Sequence, residues 1–158
     1  MKASHIKILI CDVDGVMTDG GMYIASDGSE MKRFNSKDGM AVAMCRDAGV
    51  DFGIISAGHD PGLVMARAKQ LKLKHVSVSK RPKIDVLNEW LAAMKLDASE
   101  VAYIGDDLTD IEVMKTVGMS ACPADAAKQV KAIAQIVLTK DGGAGCVREL
   151  VEEHILGI

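Results

Sequence analysis

Two clusters of acidic residues have the types and spacing that suit a hard divalent cation. Asp12 and Asp14 are separated by one residue, and a second run contains Asp106, Asp107 and Asp110. Two adjacent acids directly after an apolar strand repel each other unless a cation offsets their charge. Magnesium prefers oxygen ligands, with waters completing an octahedron. Asp12, Asp14 and Asp106 together therefore indicate a magnesium site.

The same residues could carry out phosphoryl transfer. Asp12 could attack phosphorus and form an aspartyl-phosphate, which divides a difficult hydrolysis into two displacements. Asp14 could protonate the leaving oxygen and later activate water. Lys83 would offset charge on the phosphoryl group, and the Ser56 hydroxyl with nearby backbone amides would bind its oxygens. Asp12, Asp14, Ser56 and Lys83 are therefore the candidate catalytic residues.

These residues follow short apolar runs that alternate with segments of helical periodicity. This alternation predicts an α/β fold, a doubly wound parallel sheet with helices on both faces, in one domain over residues 1–158. Ligands bind such a sheet at the carboxyl ends of its strands, where the four clusters are expected to converge. The predicted strands are 6–11, 50–56, 75–78, 101–105, 119–122 and 136–138, and the predicted helices are 39–48, 62–71, 84–94, 110–117, 126–134 and 145–155.

One segment departs from this alternation of strand and helix. Residues 20–33 alternate apolar and polar types around the turn sequence Ser26-Asp27-Gly28-Ser29, which predicts a β-hairpin inserted after the first strand. No other insertion is large enough to form a lid domain over the site.

Composition excludes several other classes of protein. The 158 residues are 49% hydrophobic and 26% charged, as in ordinary globular proteins. The net charge of −3 argues against nucleic-acid binding, which requires a concentrated basic surface. No apolar run reaches the roughly 20 residues that span a bilayer, and the start lacks a signal-peptide pattern, so we expect no membrane partner and a cytoplasmic location. The four separated cysteines suggest neither a zinc site nor a redox motif.

The ordered set of motifs resembles the haloacid dehalogenase superfamily of phosphotransferases. Asp12 to Gly20, Ser56, Lys83 and Gly105 to Asp110 look like its four motifs in order. Within the superfamily, the chain is most similar to the capless branch typified by 3-deoxy-D-manno-octulosonate 8-phosphate phosphatase. The segments that carry this similarity are 12–20, 34–39, 102–107, 124–126 and 142–149.

The resemblance implies a Rossmann-like sheet, Asp12 as nucleophile and Asp14 as general acid and base. It also implies magnesium held by Asp12, the Asp14 carbonyl and Asp106, with Asp107 and Asp110 supporting the metal site. Members of this branch are typically homotetramers in which hairpins associate and a neighbouring subunit helps to cover the site. The expected substrate is a keto-deoxy sugar-acid phosphate.

The segment after Ser56 departs from the family pattern. Octulosonate phosphatases commonly read Ser/Thr-Gly-Arg here, whereas this chain reads Ser56-Ala57-Gly58-His59-Asp60. A guanidinium that clamps a carboxylate is not replaced by glycine or histidine, so a branch acting on nine-carbon, sialic-acid-like 9-phosphates stays an alternative. The candidate substrate-binding residues are Thr18, Gly58, His59 and Arg148, although Arg148 could instead form a salt bridge on a helix surface.

Two alternatives belong to other functional classes. A receiver domain also combines a doubly wound sheet with an acidic metal pocket, a Ser or Thr and a Lys, but it lacks an acid at the position of Asp14. A non-catalytic domain that modulates a synthetase is the second alternative, although all the core catalytic positions are present here.

Overall fold

A computed structural model describes residues 3, 5–58 and 61–158. Six parallel strands form one sheet in the order β5-β4-β1-β6-β7-β8. These strands are β1 (Ile8–Cys11), β4 (Asp51–Ser56), β5 (His75–Val78), β6 (Val101–Ile104), β7 (Met119–Cys122) and β8 (Ile136–Val137). The chain winds outward from β1 in one direction and then in the other, which confirms the predicted doubly wound sheet. All six predicted strands are present.

The predicted hairpin is also confirmed. Its strands are β2 (Tyr23–Ile24) and β3 (Glu30–Met31), which pair antiparallel with Tyr23 opposite Met31. Gly28 adopts φ +85° in the turn, and the Asp27 carboxylate accepts a hydrogen bond from the Ser29 backbone. An isolated bridge between Thr18 and Phe34 closes the base of the hairpin beside the first sheet strand.

Helices cover both faces of the sheet. The helices are α1 (Ser36–Asp47), α2 (Pro61–Gln70), α3 (Lys83–Met94), α4 (Ile111–Thr116), α5 (Lys128–Lys131) and α6 (Cys146–Glu149), which continues as a π-helix over Leu150–Leu156. Helix α1 begins before its predicted start because the Asn35 side chain accepts a hydrogen bond from the Lys37 backbone and caps it. Helix α5 is much shorter than predicted.

Alternate residues of the strands define two apolar cores. Leu9 and Cys11 of β1 belong to the core beneath α1, α2 and α6, whereas Ile8 and Ile10 belong to the core beneath α3, α4 and α5. This alternation follows from the pleat of a strand, which sends successive side chains to opposite faces. A sheet buried on both faces leaves its carboxyl edge as the place for polar chemistry. In the described part of the chain no helix is both long and apolar enough to cross a membrane.

Candidate active site

Three loops meet where β1, β4 and β6 end. Asp12 follows β1, Ser56 is the last residue of β4, and Asp106 comes two residues after β6. Cys11 is in register with Ile54 on one side and with Ile104 on the other, so the three strands end at nearly the same level. The structure therefore brings the separate motifs to one edge of the sheet.

Asp12 is held in a buried and well-defined position. Its side chain accepts a hydrogen bond from the Val13 backbone at 2.7 Å, and its other oxygen lies 3.0 Å from the Lys83 Nζ. Only 6% of the residue is exposed. Burial and then repulsion from Asp110 raise the pKa of Asp12 well above its usual value, while Lys83 opposes this rise. Lys83 is thus the cation that faces the proposed nucleophile.

Lys83 begins helix α3, where the helix dipole disfavours a positive charge. Its buried ammonium is nevertheless paired with two carboxylates, at 2.7 Å from Asp110 and 3.0 Å from Asp12. Burial alone would lower the pKa of Lys83, but the two carboxylates outweigh this effect and hold its pKa above the usual value. Lys83 therefore stays charged beside Asp12.

Asp110 is fully buried and accepts four hydrogen bonds. One oxygen accepts from Lys83 Nζ at 2.7 Å and from Tyr103 Oη at 2.6 Å. The other accepts from the backbone amides of Asp106 and Asp107, at 3.0 and 3.2 Å. Asp110 thus links Lys83 to the loop that carries Asp106.

Tyr103 was not predicted as part of the site. It lies fully buried in β6, and burial followed by the charge of Asp110 raises its pKa well above the usual value. The available signal was a tyrosine in a buried strand, since its hydroxyl requires a hydrogen-bond partner. Which partner it finds depends on the loop after the strand, and sequence spacing does not reveal that.

Asp106 has features that fit a bound cation. Its Oδ1 is buried and has no hydrogen-bond partner among the described residues. Asp12, Asp106 and Asp110 each offer one carboxylate oxygen, and these three oxygens lie within 4.8 Å of one another. Among the described residues, they are the group of acidic side chains close enough together to hold a metal ion. Burial and then the neighbouring carboxylates raise the pKa of Asp106 to about 7. A divalent cation would offset this repulsion, so the carboxylates of Asp12 and Asp106 suit magnesium.

The backbone of the Asp12 loop packs directly against Asp106. Gly15 adopts φ +82°, and a Cβ there would lie 2.0 Å from the Asp106 carboxylate. On the other side, a Cβ on Gly142 would lie 1.8 Å from the Gly15 carbonyl oxygen. The Gly143 backbone donates to the Val16 carbonyl at 2.9 Å. Glycine at positions 15 and 142 lets the loop of Asp106 and the loop of Gly142 pack closely against the loop that carries Asp12. These contacts fix the position of the Asp12 loop.

The Asp14 carboxylate contacts the hairpin. Its Oδ1 lies 2.6 Å from the Nζ of Lys32, which follows β3 and was not predicted as a site residue. The family resemblance implies that Asp14 would bind a metal through its backbone carbonyl, and the contact with Lys32 engages the carboxylate rather than that carbonyl. The sequence signal that could have identified Lys32 is the alternation of side chains along an extended segment, which directs Lys32 to the side opposite Met31 and Arg33.

The candidate catalytic residue Ser56 and the candidate substrate-binding residues have different surroundings. Ser56 is buried, and its hydroxyl accepts a hydrogen bond from the Gly58 backbone at 3.3 Å. Thr18 is fully buried, and its hydroxyl accepts from the Gly15 and Gly20 amides, so it braces the loop beneath the site. Arg148 pairs with Glu152 one helical turn away, the alternative role considered for it. His59 lies outside the described residues.

The fold and the site together define a class of protein. It is an α/β protein in which Asp12 and Lys83 lie at a cluster of carboxylates suited to binding a cation. A family model for haloacid dehalogenase-like hydrolases matches residues 65–150. The 3-deoxy-D-manno-octulosonate 8-phosphate phosphatase KdsC of Yersinia pestis is 39% identical over 155 residues, which are 98% of this chain and 82% of that protein. The chain belongs to the haloacid dehalogenase-like hydrolases, and the expected family is confirmed.

Solved structures extend the similarity to three dimensions. The crystal structure of 3-deoxy-D-manno-octulosonate 8-phosphate phosphatase from Yersinia pestis superposes with a TM-score of 0.90 at 36% identity, covering 99% of this chain and 89% of that chain. The enzyme of that name from Moraxella catarrhalis, solved with a magnesium ion, a phosphate ion and a KDO molecule, has a TM-score of 0.89 at 32% identity. That match covers 94% of this chain and 85% of the other.

Proposed function

We propose that this protein is a magnesium-dependent phosphatase that hydrolyses a keto-deoxy sugar-acid phosphate through an aspartyl-phosphate on Asp12. The observation that carries the proposal is the contact chain Asp12–Lys83–Asp110, whose members are all buried at the carboxyl edge of the sheet. Relatives named as 3-deoxy-D-manno-octulosonate 8-phosphate phosphatases support the substrate class. Octulosonate 8-phosphate is therefore the proposed substrate.

The reaction has two displacements. In the first, a bond forms between an Asp12 carboxylate oxygen and phosphorus, the ester P–O bond breaks, and the leaving oxygen takes a proton from Asp14. In the second, water attacks phosphorus while Asp14 accepts its proton, and inorganic phosphate leaves with Asp12 regenerated. Lys83 offsets negative charge beside Asp12 in both steps, and Ser56 hydrogen-bonds the phosphoryl oxygens.

Magnesium would be held by the Asp12 and Asp106 carboxylates and the Asp14 carbonyl, and when bound it would offset phosphoryl charge. The unpartnered Asp106 Oδ1 supports this assignment. Asp110 stays outside the ligand set because its oxygens already accept hydrogen bonds from Lys83, Tyr103 and two amides.

The test is magnesium-dependent release of phosphate from para-nitrophenyl phosphate and from octulosonate 8-phosphate. We expect Asp12→Asn and Asp14→Asn to abolish turnover, whereas Asp19→Asn, in an exposed part of the same loop, should leave it unchanged. A long-lived phosphoprotein without turnover would instead indicate a receiver-like switch. Failure to release phosphate from a panel of sugar-acid phosphates would favour a non-catalytic role.

The length of the sugar acid is tested by comparing kcat/KM for eight-carbon and nine-carbon ulosonate phosphates. The named relatives favour the eight-carbon substrate. The segment after Ser56 lacks the arginine that octulosonate phosphatases commonly have there. The nine-carbon substrate therefore stays the alternative to test. A higher kcat/KM for the nine-carbon phosphate would overturn the octulosonate assignment without affecting the proposed chemistry.

We also propose that residues 1–158 act as one catalytic domain in a cytoplasmic homotetramer. The hairpin exposes four large apolar side chains, Met22, Tyr23, Ile24 and Met31, which supports its burial against other subunits. Sedimentation velocity should give four times the chain mass of 16.8 kDa. Ile24→Lys should dissociate the assembly, whereas Val137→Lys, at an exposed position in β8, should not. A monomeric wild type would contradict the tetramer.

A further inference from the structure

The hairpin directs one cation into the site. Lys32 follows β3 with exposed Met31 before it and exposed Arg33 after it, so its side chain points to the opposite side. Only 7% of the Lys32 side chain is exposed, and its Nζ lies 2.6 Å from Asp14 Oδ1. Burying an ammonium is costly unless it is paired. The hairpin therefore reaches the proposed acid and base through a desolvated cation.

The Asp14 carboxylate spans the gap between two loops. Its Oδ2 lies 3.9 Å from where a Cβ on Gly58 would be, so that oxygen faces the loop after Ser56. Its Oδ1 is held by Lys32, which supplies the side-chain hydrogen bond to Asp14 among the described residues. Because 44% of the Asp14 side chain is exposed, little packing restricts its rotation. Among the described residues, Lys32 therefore provides the hydrogen bond that can select one orientation of this carboxylate.

We propose that Lys32 is a positioning residue that holds the Asp14 carboxylate where it transfers a proton to the leaving oxygen. The inference rests on the proposed phosphatase function and deepens it. Proton transfer requires the carboxylate within about 2.6–3.2 Å of the leaving oxygen, and a misplacement of about 1 Å can cost on the order of 100-fold in rate. A hairpin outside the sheet thereby contributes to the chemistry at Asp14.

The leaving group discriminates this role from others. Para-nitrophenolate is a stable leaving group that needs little protonation, whereas the alkoxide of a sugar or of glycerol needs a proton as the ester bond breaks. Since kcat/KM reports the steps up to transfer of the phosphoryl group to Asp12, a displaced Asp14 should lower kcat/KM for alkyl phosphates and spare para-nitrophenyl phosphate.

The experiment compares Lys32→Met with wild type on three substrates: octulosonate 8-phosphate, glycerol 3-phosphate and para-nitrophenyl phosphate. We expect kcat/KM to fall about 30-fold for both alkyl phosphates and less than about 3-fold for para-nitrophenyl phosphate. The loss should be smaller than the roughly 100- to 10,000-fold of general-acid catalysis, because Asp14 itself is retained. Lys32→Arg should restore most of the loss because it keeps the cation. Arg33→Met, which removes an exposed cation from the adjacent position, is the matched control and should match wild type.

Two patterns would overturn the role of Lys32 alone. An equal loss on all three substrates would indicate a general structural defect, and a loss confined to octulosonate 8-phosphate would indicate that Lys32 binds the substrate carboxylate. If Lys32→Met does not fold, Lys32→Gln provides the same comparison. Absence of turnover by the wild type, or turnover retained in Asp12→Asn, would instead overturn the proposed function and this inference with it.

Discussion

Replacing Asp110 with asparagine tests whether one buried carboxylate organises the site. Asparagine has the same shape but offers one oxygen and one NH₂ group in place of two oxygens. Asp110 accepts from Lys83 and Tyr103 on one side and from the amides of Asp106 and Asp107 on the other. In either orientation, the asparagine NH₂ group faces donors that previously met an acceptor.

The expected cost follows from these contacts. Removing one partner of a buried ion pair costs roughly 3–5 kcal/mol. Here Lys83 keeps Asp12 at 3.0 Å, and Asp12 and Asp106 are relieved of repulsion from Asp110, so the loss should lie at the lower end of this range. We expect the free energy of unfolding to fall by about 3 kcal/mol. A displaced Lys83 should lower kcat/KM about 100-fold.

Urea denaturation and phosphate release measure the two effects separately. Asp97→Asn is the matched control, because Asp97 is exposed, has no predicted role in the site and caps the turn over residues 98–100. Asparagine is as good a helix cap as aspartate, so this variant should change stability by less than about 0.5 kcal/mol. If Asp110→Asn resembles Asp97→Asn in both assays, Asp110 does not organise the site.

Three further predictions concern glycine packing and buried carboxyl groups. Gly15→Ala should raise the magnesium concentration for half-maximal activity at least about tenfold, because the added Cβ would meet the Asp106 carboxylate. Gly28→Ala is the control, since Gly28 has a similar φ but open space around it, and this variant should not change the magnesium requirement. Equal effects of the two substitutions would refute the packing argument. Burial raises the pKa of Asp38 from 3.8 to about 6. Between these two pH values the unfolded chain loses the Asp38 proton while the folded protein keeps it, so the free energy of unfolding falls as pH rises. In urea denaturation Asp38→Asn should therefore be more stable than wild type at pH 7.5, by up to about 3 kcal/mol, and equal to it near pH 4; no difference at pH 7.5 would refute the burial of this charge. Because burial and then neighbouring carboxylates raise the pKa of Asp106 to about 7, magnesium must displace a proton below that pH, and calorimetry should show roughly tenfold weaker binding at pH 6 than at pH 8; pH-independent binding would contradict this.

Local patterns in the chain predicted most of the fold. Short apolar runs and helical periodicity located all six sheet strands, since burial of a strand on both faces requires continuous apolar residues. The hairpin was predicted from a turn sequence and alternation. Helix ends were less accurate, as at α1, where the cap at Asn35 extends the helix. Helix α5 starts later than predicted, and the Ala127 amide, inside the predicted helix, donates instead to the Asp106 carbonyl at 2.9 Å.

The candidate site divides in a similar way. Four residues of the site could be predicted because each lies beside the end of a strand or at the start of a helix: Asp12, Lys83, Asp106 and Asp110. The structure brings these four residues together. Thr18 was expected to bind substrate, yet the structure buries its hydroxyl against backbone amides, and contact with substrate stays untested. Residue type indicates what a side chain can bond, and packing decides which partner it has.

The sequence by itself determined the order of the elements, the acidic and basic residues at the strand ends, and hence the kind of chemistry. Only the tertiary structure decided that Tyr103 donates to Asp110, that Lys32 holds Asp14, and that Gly15 and Gly142 let two loops touch. These contacts join residues whose pairing depends on side-chain direction and loop conformation. Periodicity and motif spacing describe one element at a time, so they do not contain that information.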